Sequence, residues 1–189
     1  MLEITRENVT DIYTFDNHRE EQFKEYRQAQ EVRTFYLGPH LILRIHTYRT
    51  VLFQLQDFLR SQRIADDDAL RSVIKEYNTL LPEDGHLSGN LVLRIPKKEN
   101  IQPRLNLLPA LAQTGLKIQF NGEEIVTGTI TPDRRSPVAF VEFQLTDDAI
   151  QAIANDTRSM AFATENPEYT HTVEVEPASR KALLADLNV

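Results

Sequence analysis

The sequence contains no cysteine and no tryptophan, and only six of its 189 residues are glycine. Without cysteine, the chain cannot form a disulfide, a thiolate zinc site or an iron–sulfur cluster, and it has no thiol nucleophile. The scattered glycines form neither a phosphate-binding loop nor a dinucleotide fingerprint. The zinc-protease motif His-Glu-x-x-His and the hydrolase motif Gly-x-Ser-x-Gly are also missing. These absences leave two classes of protein open: enzymes whose site residues are scattered along the chain, and proteins without catalytic activity.

An excess of positive charge and long hydrophobic runs are lacking as well. The net charge is −7, which argues against nucleic acid as a partner because phosphate binding needs a basic surface. No apolar stretch approaches the ~20 residues of a membrane-spanning helix, and the N-terminal residues resemble no signal peptide. We therefore expect a cytoplasmic protein without membrane contact. The acidic excess is concentrated in residues 101–189, which hold 7 Lys and Arg against 12 Asp and Glu.

What the chain does contain is typical of a globular domain. Hydrophobic residues make up 41% and charged residues 26% of the sequence, the usual balance for such a domain. The length suits one domain. We expect a single domain over residues 1–189, with a weak subdivision at the polar, proline-containing segment 96–103.

Helical periodicity and capping residues predict several short helices. Thr5 caps the first, and Asn17 with Glu20 is a capping pair for a second over residues 18–30. Thr50 is predicted to begin a helix with an apolar stripe that includes Phe58, and the acidic run 66–68 is predicted to begin the next. Further helices are predicted over residues 104–112, after Thr146, and from Pro177.

Alternating hydrophobicity predicts about seven strands. In the stretch after Gly38-Pro39, Leu41, Leu43 and Ile45 share one face. Asn121-Gly122, between two strand-like runs, is typical of a two-residue hairpin turn. The other predicted strands are residues 91–95, 138–145 and two pieces around 159–176. Turns and short helices join them, which favours an α+β fold with a mostly antiparallel sheet and helices packed on one face.

One strand–helix junction could carry chemistry. Arg44 and His46 lie on a strand that runs directly into a helix with a polar side. Two interpretations are open: a candidate binding pocket formed by this polar side and the strand, and a structural ion-pair network, which is the favoured interpretation. The residues of this candidate pocket are Arg44, His46, Gln54, Gln56, Asp57 and Arg60.

The histidines do not predict a metal site. His40 and His46 are about 20 Å apart along an extended strand, too far to share one metal ion. His171 alternates with Tyr169 and Val173 on the apolar face of the last predicted strand, as a core histidine would. Neither a metal nor another cofactor is expected from this pattern.

Several short segments resemble the bacterial domain-of-unknown-function 3501 family. They are Leu37-Gly38-Pro39-His40, Thr50-Val51, FQLQDFLR at 53–60, EYNTLLP at 76–82, residues 136–145, ENPEY at 165–169 and LLADL at 183–187. The resemblance covers nearly the whole chain and is weakest near 96–115. His46 stands where relatives carry an acid, and Ala139 and Asn166 stand where relatives carry histidines.

The resemblance brings no established activity. Members of the family are often encoded beside rubrerythrin-like di-iron proteins, which implies a role near oxygen, peroxide or iron handling. Two hypotheses follow. The first is a non-catalytic accessory protein that binds a separately encoded partner, such as a di-iron protein. The second is a small-molecule enzyme or binder, with or without a metal, that uses the candidate pocket. The sequence leaves the oligomeric state open.

Overall fold

The computed structural model describes residues 2–94, 106–133 and 136–187. Within these residues, a short 3-10 helix at Arg6–Asn8 is followed by six α-helices and eight strands. In chain order they are α1 (Ile12–Glu31), β1 (Thr34–Leu37), β2 (Leu41–Ile45), α2 (Tyr48–Gln62), α3 (Asp67–Asn78), β3 (His86–Leu93), α4 (Leu107–Thr114), β4 (Leu116–Phe120), β5 (Glu123–Pro132), β6 (Val138–Gln144), α5 (Asp147–Ala154), β7 (Met160–Asn166), β8 (Tyr169–Glu174) and α6 (Pro177–Leu187).

Local capping signals place most helix starts. Asp66 accepts hydrogen bonds from the backbone N–H groups of Asp68 and Ala69, and Thr146 accepts one from that of Ala149. Side-chain acceptors of this kind satisfy N–H groups that have no partner inside the helix. The predicted starts of α3 and α5 are therefore confirmed.

Two predicted helix starts are wrong, for the same physical reason. α1 begins at Ile12, because Asp11 already accepts a hydrogen bond from the Thr14 backbone N–H and so caps the helix earlier than Asn17. α2 begins at Tyr48, because Thr47 rather than Thr50 occupies the cap position. In each case a second competent cap lies a few residues upstream and the helix starts there.

Other boundaries shift by a few residues. β3 begins at His86 rather than at residue 91, so the glycine-containing segment before Leu91 is part of the strand. The helix predicted over 104–112 is found at Leu107–Thr114. The predicted subdivision at 96–103 lies outside the described residues.

The strands form one antiparallel sheet in the order β1-β2-β3-β6-β5-β4-β7-β8. β5 joins its two halves, because residues up to Gly128 pair with β4 and residues from Thr129 onward pair with β6. The sheet curves until it is barrel-like, and the helices pack outside it. The predicted single α+β domain and antiparallel sheet are confirmed.

The predicted β-hairpin is present at the Asn121-Gly122 turn. Asn121 has a φ of 53° and Gly122 a φ of 82°, so both turn residues adopt the left-handed conformation that this short turn requires. The turn fixes the pairing of Phe120 with Glu123 at the end of β4 and the start of β5.

Alternating strand residues fill the main core. As predicted, Leu41, Leu43 and Ile45 share one fully buried face of β2, whereas on the opposite face Ile42 is also buried and Arg44 is exposed. The inward residues of β6 include Val141 and Phe143, again as predicted. A smaller core joins α2 and α3 to the N-terminal segment.

One tyrosine ties together the two outermost strands. The Tyr169 hydroxyl, on β8, donates a hydrogen bond of 2.6 Å to the Leu37 carbonyl oxygen on β1 and accepts one of 3.0 Å from the His40 backbone N–H. Gly38 lies in the same turn with a φ of +68°, and a Cβ there would come within 2.6 Å of the His171 ring. This contact region, which we call the seam, closes the curved sheet.

A second link joins the beginning and the end of the chain. The Arg33 guanidinium, between α1 and β1, donates two hydrogen bonds of 2.7 and 2.8 Å to the Asp186 carboxylate of α6. Their side chains are only 12% and 15% exposed. Paired, two-point geometry of this kind is the strongest form of an arginine–carboxylate interaction.

Among the described residues, no helix is both long enough and apolar enough to cross a membrane.

We predict that Tyr169→Phe lowers the free energy of unfolding by about 1–3 kcal/mol, because it leaves the buried Leu37 carbonyl and the His40 N–H without their partner. Urea denaturation followed by circular dichroism measures the change. The control is Tyr36→Phe, since Tyr36 is 58% exposed on β1. Equal stability of the two variants would mean that the hydroxyl does not stabilise the seam.

Candidate functional site

A groove lined by aromatic side chains lies between α1, α2 and α3. It has a volume of about 360 Å³, and Gln54, Asp57 and Ser61 contribute its polar lining. Its aromatic residues are Phe23, Tyr26, Phe53, Phe58 and Tyr77. We call this surface the aromatic groove. Phe23 and Phe58 are 39% and 38% exposed, so two large apolar rings face solvent side by side with polar groups.

The rings of the aromatic groove contact one another. Tyr26 stacks on Phe53 with ring centroids 4.8 Å apart, and Phe23 lies 5.9 Å from Phe53. Across the groove, Phe58 of α2 lies 5.9 Å from Tyr77 of α3. Phe23 and Tyr26 are three residues apart on α1, which places them on one side of that helix.

An ion-pair network borders the groove where α1 meets α2. The Asp57 carboxylate accepts hydrogen bonds from Arg19 Nε at 2.7 Å and from Arg60 Nε at 3.2 Å, and Arg60 also lies 3.4 Å from Asp16. The Arg19 hydrogen bond, followed by its charge and the weaker contribution of Arg60, lowers the pKa of Asp57 against the opposing effect of burial. This network holds the two helices in register beside the exposed rings.

The candidate pocket predicted from the sequence is spread over several places. Asp57 and Arg60 contact each other, and Gln54 and Asp57 line the aromatic groove. Gln56 points elsewhere, because its side-chain oxygen accepts a hydrogen bond from the Thr10 backbone N–H. The Arg44 side chain is exposed on β2.

His46 is separate from the rest of the predicted set. It precedes α2, whereas Asp57 and Arg60 lie about 15 Å further along that helix. None of the hydrogen bonds and ion pairs found among the described residues joins His46 to Asp57 or Arg60. Asp57 and Arg60 therefore contact α1 rather than the strand, because Arg19 pairs with Asp57 and Asp16 pairs with Arg60.

His46 is buried and neutral. Its side chain is 2% exposed, and neither ring nitrogen has a hydrogen-bond partner of ordinary geometry. The neighbouring Gln30 Oε1 is likewise unpartnered, although Gln30 Nε2 donates to the Ile45 carbonyl. Burial lowers the pKa of His46 from 6.5 to about 4, and the side chain of Asn90 opposes this change weakly.

The other histidines of the predicted strands meet at the seam. The ring centroids of His40 and His171 lie 6.0 and 4.4 Å from that of Tyr169. In the part of the chain that the structure describes, no three His, Asp or Glu side chains are grouped as metal ligands would be.

Sequence reasoning missed most of the aromatic groove. Phe58 was predicted to lie on the buried stripe of α2, yet it is 38% exposed, while Phe53 outside that stripe is only 8% exposed. α2 contacts α1 as well as α3, so its buried face is rotated from the one that its own periodicity predicts. The available signal was the pair Phe23 and Tyr26 on an otherwise charged helix.

We predict that the free energy of unfolding falls on acidification over the pH range in which His46 is protonated only in the unfolded chain. Between pH about 6.5 and about 4 the unfolded chain binds a proton at His46 and the folded chain does not, so unfolding becomes easier by up to about 3 kcal/mol as pH falls. Urea denaturation of the wild type and His46→Gln at several pH values tests this.

In His46→Gln, the free energy of unfolding should no longer fall by this amount between pH about 6.5 and about 4. The control is His18→Gln, because His18 is exposed on α1. An identical pH profile for His46→Gln and His18→Gln would contradict the assignment.

Comparison with known proteins defines the family. Among proteins of curated function, none matches the chain significantly. A crystal structure of a novel protein of unknown function from Burkholderia pseudomallei is similar in fold, with a TM-score of 0.84 and 20% sequence identity over 98% of this chain and 100% of that one. The sequence profile described as "Protein of unknown function (DUF3501)" matches residues 3–187. The chain therefore belongs to the DUF3501 family.

Proposed function

We propose that this protein is a non-catalytic accessory protein that binds a helical segment of a partner protein in the aromatic groove. The observation that carries the proposal is the pair of exposed rings, Phe23 and Phe58, on the two sides of one groove. Exposed aromatic clusters rimmed by polar residues are typical of protein interaction sites.

The shape of the groove favours a helix as its occupant. Its walls are three helices that each contribute aromatic side chains, and a partner helix can place residues three or four apart into such a groove. Gln54 and Ser61 add polar groups along the wall of α2. These groups can pair with the polar edge of an amphipathic helix.

The charges around the groove favour acidic residues beside the apolar face of that helix. The guanidinium groups of Arg19 and Arg27 lie 5.7 and 6.0 Å from the centroid of the Phe23 ring. Asp57 already neutralises Arg19, whereas Arg27 forms no ion pair within the described part of the chain. A carboxylate on the partner would meet the Arg27 charge beside the Phe23 ring.

The resemblance to the family suggests which partner to test first. A rubrerythrin-like di-iron protein presents long helices at its surface, and amphipathic helices are the element that this groove fits. The helix residues of the predicted pocket, Gln54 and Asp57, enter the proposal as part of the groove wall. Asp57 acts there as a positioning residue that holds Arg19 and Arg60.

We predict that Phe23→Ala and Phe58→Ala each weaken binding of a purified rubrerythrin-like di-iron protein by about tenfold, as loss of an exposed aromatic contact does. Isothermal titration calorimetry with the two purified proteins measures the affinity. Tyr13→Ala is the matched control, because Tyr13 is 78% exposed on α1 outside the groove.

Two results would contradict this proposal. One is equal affinity of the groove variants and the Tyr13 variant. The other is concentration-dependent self-association in analytical ultracentrifugation that Phe58→Ala abolishes, because a second copy would then occupy the groove instead.

A further inference from the structure

A second concave surface is formed by strands rather than helices, at the place where the sheet splits. β5 pairs with β6 only from Thr129 onward, and at Gly128 it turns away to pair with β4. β6 continues past this point, pairing Phe143 and Gln144 with β3. A cleft therefore opens between the first half of β5 and the end of β6.

Gly128 permits the split. A Cβ at this position would lie 2.5 Å from the Phe143 ring, and the ring is fully buried in the main core. The close approach of β5 to this ring allows the strand to cross from one half of the sheet to the other. The cleft is thus a consequence of how the sheet bends.

The lining of this cleft is mostly polar. The cavity measures about 300 Å³, and its apolar lining residues are Ile125 and Val126. Its polar lining residues are His86, Thr127, Thr129, Glu142, Gln144 and Thr146. We call this surface the polar cleft. None of its lining residues belongs to the aromatic groove.

A histidine–carboxylate pair is the chemical centre of the polar cleft. His86 Nδ1 lies 3.0 Å from Glu142 Oε1, and the two side chains are 17% and 38% exposed. Because a carboxylate only accepts hydrogen bonds, His86 donates from Nδ1 to Glu142. The second carboxylate oxygen of Glu142 is a further acceptor.

Glu142 gives the lining of the polar cleft a negative charge, and the nearby cation Lys117, opposite Thr127 on β4, is paired with the Glu124 carboxylate. Neither lysine nor arginine lines it. The N-terminus of α5, beside Thr146, carries a partial positive charge, but Thr146 Oγ1 already accepts from the Ala149 N–H and Asp147 and Asp148 occupy the first turn. A ligand in the cleft therefore meets acceptors and negative charge.

We propose that the polar cleft binds a small organic amine. An alkylammonium group carries three N–H donors and one positive charge, which match the Glu142 carboxylate and the threonine hydroxyl oxygens that line the cleft. The apolar side chain of Ile125, on the same face of β5 as Thr127 and Thr129, suits the carbon chain of such a ligand. The cavity is at the small end of ligand-binding pockets, so the ligand is a metabolite-sized amine.

Titration of the full-length protein with putrescine and with its neutral analogue butanediol tests the proposal. We expect saturable binding of the diamine and none of the diol. Glu142→Gln should weaken diamine binding by about tenfold or more, since it removes a charge-assisted hydrogen bond. Glu165→Gln should leave it unchanged, because the Glu165 carboxylate lies on β7, where it accepts from Gln119.

Thr129→Val provides a second variant that keeps the charge and shape of the cleft, and it should weaken diamine binding as well. Circular dichroism verifies that each variant is folded. Three results would overturn the proposal: no saturable binding of putrescine, equal binding of butanediol, or undiminished binding by both Glu142→Gln and Thr129→Val.

Discussion

The hydroxyl group of Tyr169 holds the two ends of the sheet together. An open sheet exposes unpaired backbone groups on both edge strands, and such edges promote association with other chains. Here the hydroxyl bonds to two backbone groups of the β1–β2 turn, so the ends of the strand order are brought together. Gly38 is required beside it, because any side chain there would collide with the His171 ring. The bidentate Arg33–Asp186 pair reinforces the same closure from the flanking helices.

Closure also determines where ligand-binding surfaces can exist. The interior of the curved sheet is filled by large apolar side chains such as Phe120 and Phe162. The two concave surfaces found among the described residues lie outside this packed interior and have opposite character. The aromatic groove is lined by aromatic rings and bordered by paired charges such as Arg19 and Asp57. The polar cleft is lined instead by a carboxylate, an imidazole and hydroxyl groups.

The sequence predicts those features whose causes are local. Asp66, Thr146 and Asn121-Gly122 act on backbone groups within a few residues, and each has the predicted effect. The sharing of β5 between two neighbours and the burial of His46 depend on contacts between distant segments, for which one sequence carries no direct signal. The candidate pocket illustrates the limit: Asp57 and Arg60 are paired as their spacing suggests, but residues of α1 decide what else they contact.

The seam has a consequence for how the protein folds. The Tyr169–Leu37 hydrogen bond joins residues 132 positions apart, and the Arg33–Asp186 pair joins residues 153 positions apart. Contacts of such long range form late, because the entropy of closing a long loop must be overcome first. The outer edge of β1 therefore stays uncovered until β8 and α6 have folded against the first strands. The docking of these two elements is the folding step that covers this edge.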